Sequence, residues 1–192
     1  MANYIVAEPI NCAMCNIYCV SGTPGGYMGP SNLYSYLDPN AYHSNIIRIH
    51  TSSDLKLCVD ETVEVIKEFN TLHDLPILLI GWSQGGYTII KAVENLQNTQ
   101  YLRKIMALII ISSKPVDINY VNEPNIVKYI VCGTHDTERR LNGSIDMYNN
   151  AHEPKYYNQI KNGTHNFEYD ECFIELCKYI HAVILNEISR LV

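Results

Sequence analysis

No stretch of this 192-residue chain is apolar for long enough to cross a bilayer; its longest apolar runs have the length of strands. It also has no cluster of Lys or Arg, and its net charge is −6. The electrostatic footprint of a nucleic-acid binder is therefore missing. The opening residues, Met1-Ala2-Asn3-Tyr4, have neither the basic stretch nor the apolar core of a secretory leader, which points to an intracellular, cytoplasmic protein. No repeat, low-complexity tract or linker breaks the chain, so one domain over residues 1–192 with one sizeable core is expected. The seven cysteines (12, 15, 19, 58, 132, 172 and 177) form an odd set without a pairing pattern. Cys12, Cys15 and Cys19 have no second Cys/His pair at ligand spacing. No metal site is expected, and the thiols are read as free in a reducing compartment. The acceptor triplets Asn142-Gly143-Ser144 and Asn162-Gly163-Thr164 then stay unmodified.

What the chain does have is alternation. Short runs rich in Ile, Val, Leu and Tyr predict strands at Asn16–Ser21, Asn45–His50, Pro76–Gly81, Ile105–Ser112, Ile126–Cys132 and Lys155–Ile160. Between several of them lie amphipathic segments. In Asp54–Asn70 the residues Leu55, Cys58, Val59, Thr62, Val63, Ile66 and Phe69 recur at three-to-four spacing, with Ser53 or Asp54 to cap the start. Tyr87–Leu96 and Tyr169–Leu191 read as further helices. The pattern predicts an α/β chain, a three-layer α/β/α arrangement around a mostly parallel sheet of about six strands. Only about a dozen residues separate the strands at 105–112 and 126–132, too few for a domain-sized lid.

The chemistry centres on Gly81-Trp82-Ser83-Gln84-Gly85, set between the apolar run Pro76–Ile80 and a helical segment. This is the pattern of a nucleophile elbow, in which a sharp strand-to-helix turn lifts a serine hydroxyl above the sheet. Side chains at 81 or 85 would collide where the helix doubles back past the strand. A serine needs a base, and the base needs an orienting group; both are expected where later strands end and their loops converge. Asp136 follows the strand Ile126–Cys132 and is the candidate acid. Asp117, in Lys114-Pro115-Val116-Asp117, is the rival. His165, on the Gly-containing loop after Lys155–Ile160, is the candidate base, and no other histidine matches that position. Gln84 N–H, at a helix start, is one candidate oxyanion donor. Thr23 N–H, in the turn Gly22-Thr23-Pro24-Gly25-Gly26, is the second.

With these residues in the order Ser83, Asp136, His165, the chain resembles the α/β-hydrolase superfamily from about Asn16 to Val192. Gly81-Trp82-Ser83-Gln84-Gly85-Gly86 is similar to the G-F-S-Q-G-G elbow of lidless carboxylesterases, lysophospholipases and acyl-protein thioesterases. It is equally similar to the G-W-S-x-G-G elbow of thioesterase domains. Ser21-Gly22-Thr23-Pro24-Gly25 resembles the H-G-x-P-G oxyanion loop, with Ser21 where His is usual. The segment Thr137-Glu138-Arg139-Arg140 lacks the hydrophobic-proline pair of the carboxylesterase branch, and the N-terminal segment leaves little room for the family's first antiparallel strands. The resemblance implies hydrolysis of a small acyl ester or thioester through an acyl-enzyme, with no metal or organic cofactor. Tyr27, Met28, Leu33, Tyr34 and Tyr36 are placed either to wall an acyl groove or to pack the oxyanion loop onto the body; Tyr27, Trp82 and His50 are the candidate pocket residues. The competing readings are a catalytically idle binding protein and a lipase or peptidase of the same fold.

Overall fold

Strands that are apolar at nearly every position need cover on both faces, and the sheet has it. The computed structural model describes residues 4–7, 10–22, 26–50, 52–119, 121 and 123–192. Its strands are β1 (Tyr4–Ala7), β2 (Cys15–Val20), β3 (Ser44–Ile49), β4 (Ile77–Trp82), β5 (Ile105–Ile111), β6 (Val127–Gly133) and β7 (Lys155–Ile160). They form one sheet in the order β1-β3-β2-β4-β5-β6-β7. Every neighbouring pair is parallel except β1 with β3. Strands β2, β4 and β6 are buried along their whole length.

The helices are α1 (Pro39–Tyr42), α2 (Leu55–Leu72), α3 (Gln84–Asn95), α4 (Glu138–Asn150) and α5 (Asp170–Ser189), with a 3-10 segment over Pro30–Tyr36. Alternate strand residues feed two cores. Ile17, Leu78, Ile80 and Trp82 face Leu33, Tyr34, Tyr42 and the α5 residues Leu176, Ile180 and Ile184. Tyr18, Val20, Ile77 and Leu79 face α2, α3 and Met147 of α4. This is the expected α/β/α layering. Asp54 caps α2, accepting from Leu57 N–H at 3.0 Å. Among the described residues no helix is long and apolar enough to cross a membrane, and none of the seven cysteines is in a disulfide.

Two features depart from the sequence reading. The expected sheet of about six strands has seven, and the added one, β1, is an antiparallel edge strand for which the sequence reading leaves little room. Four residues, Tyr-Ile-Val-Ala, are too few to show a period, and their pairing with β3 (Tyr4 opposite Ile49) supplies the order. The second is α4, whose buried side is only Gly143, Ser144 and Met147. A helix that packs through small residues shows no apolar stripe; Gly143 lies where a Cβ would meet the ring of Pro115.

The end of the sheet opposite the strand C-termini is held by a buried amide network. Asn16 Nδ2 donates to Asn70 Oδ1 at 2.9 Å, Tyr18 hydroxyl donates to the same oxygen at 2.8 Å, and Asn70 Nδ2 donates to Leu75 C=O at 2.9 Å. Replacing Asn70 by Ala strands the buried Tyr18 hydroxyl and leaves the partly buried Leu75 carbonyl without this donor. We expect Asn70→Ala to cost ~2–3 kcal/mol in urea unfolding. A loss below ~0.5 kcal/mol would mean that the network adds nothing to stability.

Candidate active site

Strand β4 runs straight into Ser83, and α3 starts at the next residue. The turn forces Ser83 to φ 57°, ψ −114°, a conformation that non-glycine residues avoid. Two backbone bonds hold it there: Ser83 N–H donates to Ile111 C=O at 2.8 Å, and Lys114 N–H donates to Ser83 C=O at 3.3 Å. The flanking glycines are required by close approach. A Cβ on Gly81 would strike the Gly85 carbonyl, and one on Gly85 would strike the Val20 carbonyl of β2. The second contact is with the neighbouring strand, so the elbow is wedged between two strands and not only against its own.

The other two candidates arrive from the ends of β6 and β7. Their loops touch at glycine: a Cβ on Gly133 would overlap the Gly163 carbonyl. His135 N–H donates to Gly163 C=O at 2.9 Å, and Asn162 N–H donates to Thr134 Oγ1 at 2.8 Å. This contact brings Asp136 beside His165. His165 Nδ1 lies 3.2 Å from Asp136 Oδ2, and His165 Nε2 lies 3.1 Å from Ser83 Oγ. Ser83, His165 and Asp136 thus form one chain of hydrogen-bonding distances. The Asp136 carboxyl is fully buried, whereas 27% of the His165 side chain is exposed.

Burial by itself raises the pKa of Asp136. The hydrogen bonds from His165 and from Thr137 N–H (2.7 Å) outweigh that and hold the carboxyl below its ordinary 3.8. Cys132 points its thiol at Asp136 Oδ2, 3.8 Å away. Burial pushes this thiol up to about 11, so it brings no second negative charge near the acid at neutral pH. Arg140 stands with Nε 3.9 Å from Asp136 Oδ1 and donates through Nη1 to Ser112 C=O at 3.1 Å.

The histidine loop is tied down through its carbonyls. Trp82 Nε1–H donates to His165 C=O at 3.0 Å, and the indole stacks on the imidazole with centroids 5.1 Å apart. Ser31 Oγ donates to Asn166 C=O at 2.8 Å. Thr164 Oγ1 and Asn166 Nδ2 both donate to the Glu168 carboxylate, at 2.7 and 2.9 Å. Those two bonds hold Glu168 below its usual range, against a small opposing effect of burial. Phe167 is buried at φ 53°, which turns the loop back into the core.

Gly22 marks the roof of the site. A Cβ built on it would stand 2.7 Å from Ser83 Cβ and 3.1 Å from Ser83 Oγ, so this loop passes directly over the serine. Thr23, the candidate second oxyanion donor, lies outside the described residues. Ser21, in the place where His is usual, accepts Gly29 N–H on its Oγ at 3.1 Å and so closes the loop on itself. Gln84 opens α3, where the first N–H groups of a helix have no intrahelical acceptor. Its side-chain amide donates to Ser52 C=O at 3.1 Å, which fastens the neighbouring loop to the elbow.

The rival acid is not in this cluster. Asp117 is exposed and accepts Asn119 N–H at 2.9 Å in a local turn. Of the candidate pocket residues, Tyr27 and His50 pair at the rim with rings 5.3 Å apart. Trp82 is nearly buried and supports the base loop; it does not line an open pocket. Leu33 and Tyr34 are core residues, with Tyr34 hydroxyl donating to Val20 C=O, whereas Met28 and Tyr36 are exposed. Sequence reasoning missed Trp82 as a loop anchor, and also Ser31 and Arg140. Only the adjacency of Trp82 to Ser83 hinted at its place.

No known family profile matches this chain, and no curated protein matches it. Solved structures do. Est1E from Butyrivibrio proteoclasticus, with ferulic acid bound, superposes with a TM-score of 0.75 at 15% identity, over 97% of this chain and 95% of that one. A monoacylglycerol lipase from Paleococcus ferrophilus gives 0.71 at 14% identity, over 97% and 99%. XC6422 from Xanthomonas campestris, described as an α/β serine hydrolase without lid, gives 0.67 at 13% identity, over 97% and 87%. This chain has the α/β-hydrolase fold.

Trp82→Phe keeps the stack and deletes the bond to His165 C=O. A bond worth ~1 kcal/mol sets the expected effect: amide exchange at Asn166 and Phe167 about five-fold faster, with the global unfolding midpoint little changed. Unaltered exchange there would remove Trp82 from the support of this loop. Asp136 makes a second expectation. Its folded pKa is depressed, so its stabilisation is fully present above the unfolded pKa and is lost as pH falls through the folded value. Between about pH 5 and pH 2, the unfolding free energy of the native protein should therefore fall more steeply than that of Asp136→Asn. Parallel curves would contradict the depressed pKa.

Proposed function

We propose that this chain is a serine hydrolase that cleaves a carboxylic ester or thioester through an acyl-enzyme, acting as one unit without a lid. The observation that carries the reading is the chain of distances Ser83 Oγ–His165 Nε2–Asp136 Oδ2 at the mouth of a strained strand-to-helix turn. Ser83 attacks the carbonyl carbon while His165 Nε2 takes the hydroxyl proton. Asp136 accepts the Nδ1–H bond, fixes the tautomer and stabilises the imidazolium. The developing oxyanion is met by Gln84 N–H at the start of α3 and by an amide of the loop following Gly22, for which Thr23 is the candidate. His165 then gives its proton to the leaving oxygen or sulfur. Water, activated by the same imidazole, releases the acyl group.

The fold neighbours that carry the words esterase, lipase and serine hydrolase support acyl hydrolysis as the class of reaction. The stretch between β5 and β6 supports the lidless reading, because Ile118 and Val121 turn into the core instead of rising over the site. The seven free thiols favour a reducing, intracellular setting.

A fluorophosphonate probe tests the reading. We expect one label per chain, none in Ser83→Ala and little in His165→Ala. With p-nitrophenyl esters, Asp136→Asn should lower turnover ~10³–10⁴-fold, while Asp117→Asn leaves it within a factor of two. Folded protein that takes no label points to a non-catalytic binding protein, and a reversed order of the two Asn variants moves the acid to Asp117.

A further inference from the structure

The surface around the site is divided by charge. Beside the Ser83–Asp136 line opens a cavity of about 460 Å³ lined by Leu55, Tyr87, Lys114, Thr137, Arg139 and Arg140. It borders both ends of that line. Lys114 holds the Ser83 carbonyl with its backbone N–H, and Thr137 N–H bonds Asp136. Tyr87 lies one helical turn beyond Ser83 on α3. Three of the chain's 14 Lys and Arg residues therefore meet in one hollow of a protein with net charge −6. On the far side of His165 the second hollow, about 630 Å³, is edged by Glu168, Asp170 and Glu171.

The cations of the first hollow are not used up by the fold. Arg140 serves Asp136 and Ser112 C=O. Among the described residues, Lys114 Nζ and the Arg139 guanidinium make no ion pair. The carboxylates nearest in sequence are committed or turned to solvent: Asp136 to His165, Asp117 to its own turn, Asp54 to the cap of α2, and Glu138 exposed on the first turn of α4. A guanidinium fork and an ammonium, which can only donate, with the Tyr87 and Thr137 hydroxyls able to donate beside them, suit the oxygens of a carboxylate or phosphate.

We propose that the ester or thioester cleaved here carries an anionic oxyacid group, which docks on Lys114 and Arg139 while its carbonyl lies at Ser83. This deepens the serine-hydrolase reading and rests on it. The acidic edge beyond His165 repels the same group, so the two hollows fix which way round the substrate lies.

Two matched pairs of substrates test it. One is mono-p-nitrophenyl succinate against its neutral methyl ester, with the charge on the acyl side. The other is S-acetyl phosphopantetheine against S-acetyl pantetheine, with the charge on the leaving group. The charged member of at least one pair should have about ten-fold higher kcat/KM. That ratio should fall toward one in 0.5 M salt and in Lys114→Gln/Arg139→Gln, and the pair that responds identifies the source of the charge. Ratios near or below one in both pairs, or a ratio untouched by the double variant, overturn the proposal. Fluorophosphonate labelling reads the parent reading separately. If neither label nor turnover is seen, calorimetric titration of the intact chain with succinate and inorganic phosphate reads the hollow alone. Millimolar binding weakened at least five-fold in the double variant supports the anion site, and no binding ends it.

Discussion

Holding a serine at φ 57°, ψ −114° costs on the order of 1–3 kcal/mol, and it persists only where the surroundings leave no alternative. Here the surroundings are the β4–β5 pairing. The register shift between Ile77 and Leu78 sets Trp82 opposite Ile111. That puts the Ile111 carbonyl under Ser83 N–H and the Lys114 amide over Ser83 C=O. Gly85 against Val20 closes the third side. The hydroxyl is aimed by the register of the central strands, buried but for Met106, and not by a loop.

His165, in contrast, is on a loop, and its precision has to come from elsewhere. Successive carbonyls of that loop are captured from different directions. The indole beside the nucleophile takes His165 C=O, Ser31 takes Asn166 C=O, and Phe167 is driven into the core. Ser31 is itself at φ 46°, so the segment beyond the roof of the site is held in an uncommon conformation as it grips the base loop. Asp136 needs less, because Gly133 and Gly163 permit the two loops to touch. Ser83, the Gly22 loop and the His165 loop are therefore braced against one another.

The sheet and the three polar residues were legible because each has a local signature. Buried parallel strands are apolar runs, a nucleophile elbow needs glycine at fixed offsets, and Asp136 and His165 follow strands whose ends are readable. The cap at Asp54 was legible for the same reason. What escaped has no such signature. β1 exists only by pairing with β3, α4 packs through Gly143 and Ser144, and Trp82 reaches a carbonyl 83 residues away. Tyr27, Leu33 and Tyr34 looked alike as aromatic or apolar residues after a glycine-rich turn. Whether each met the core or the rim depended on how the loop folded: Tyr34 found the Val20 carbonyl, and Tyr27 found His50.

The two faces of the sheet also divide the work. Trp82, Phe167 and α5 belong to one core, and Trp82 holds the His165 carbonyl from that side. Elements of the other core, α2, α3 and α4, supply Leu55, Tyr87, Arg139 and Arg140 to the cationic hollow. Support for the base and the positive charge thus lie on opposite sides of Ser83. Two residues join them: the Arg140 side chain lines the hollow and stands 3.9 Å from the Asp136 carboxylate, and Thr137, also in the lining, donates its N–H to the same group. An anion seated there would draw the guanidinium toward itself and away from Asp136, so the hollow and the Asp136 carboxylate are coupled through the Arg140 side chain.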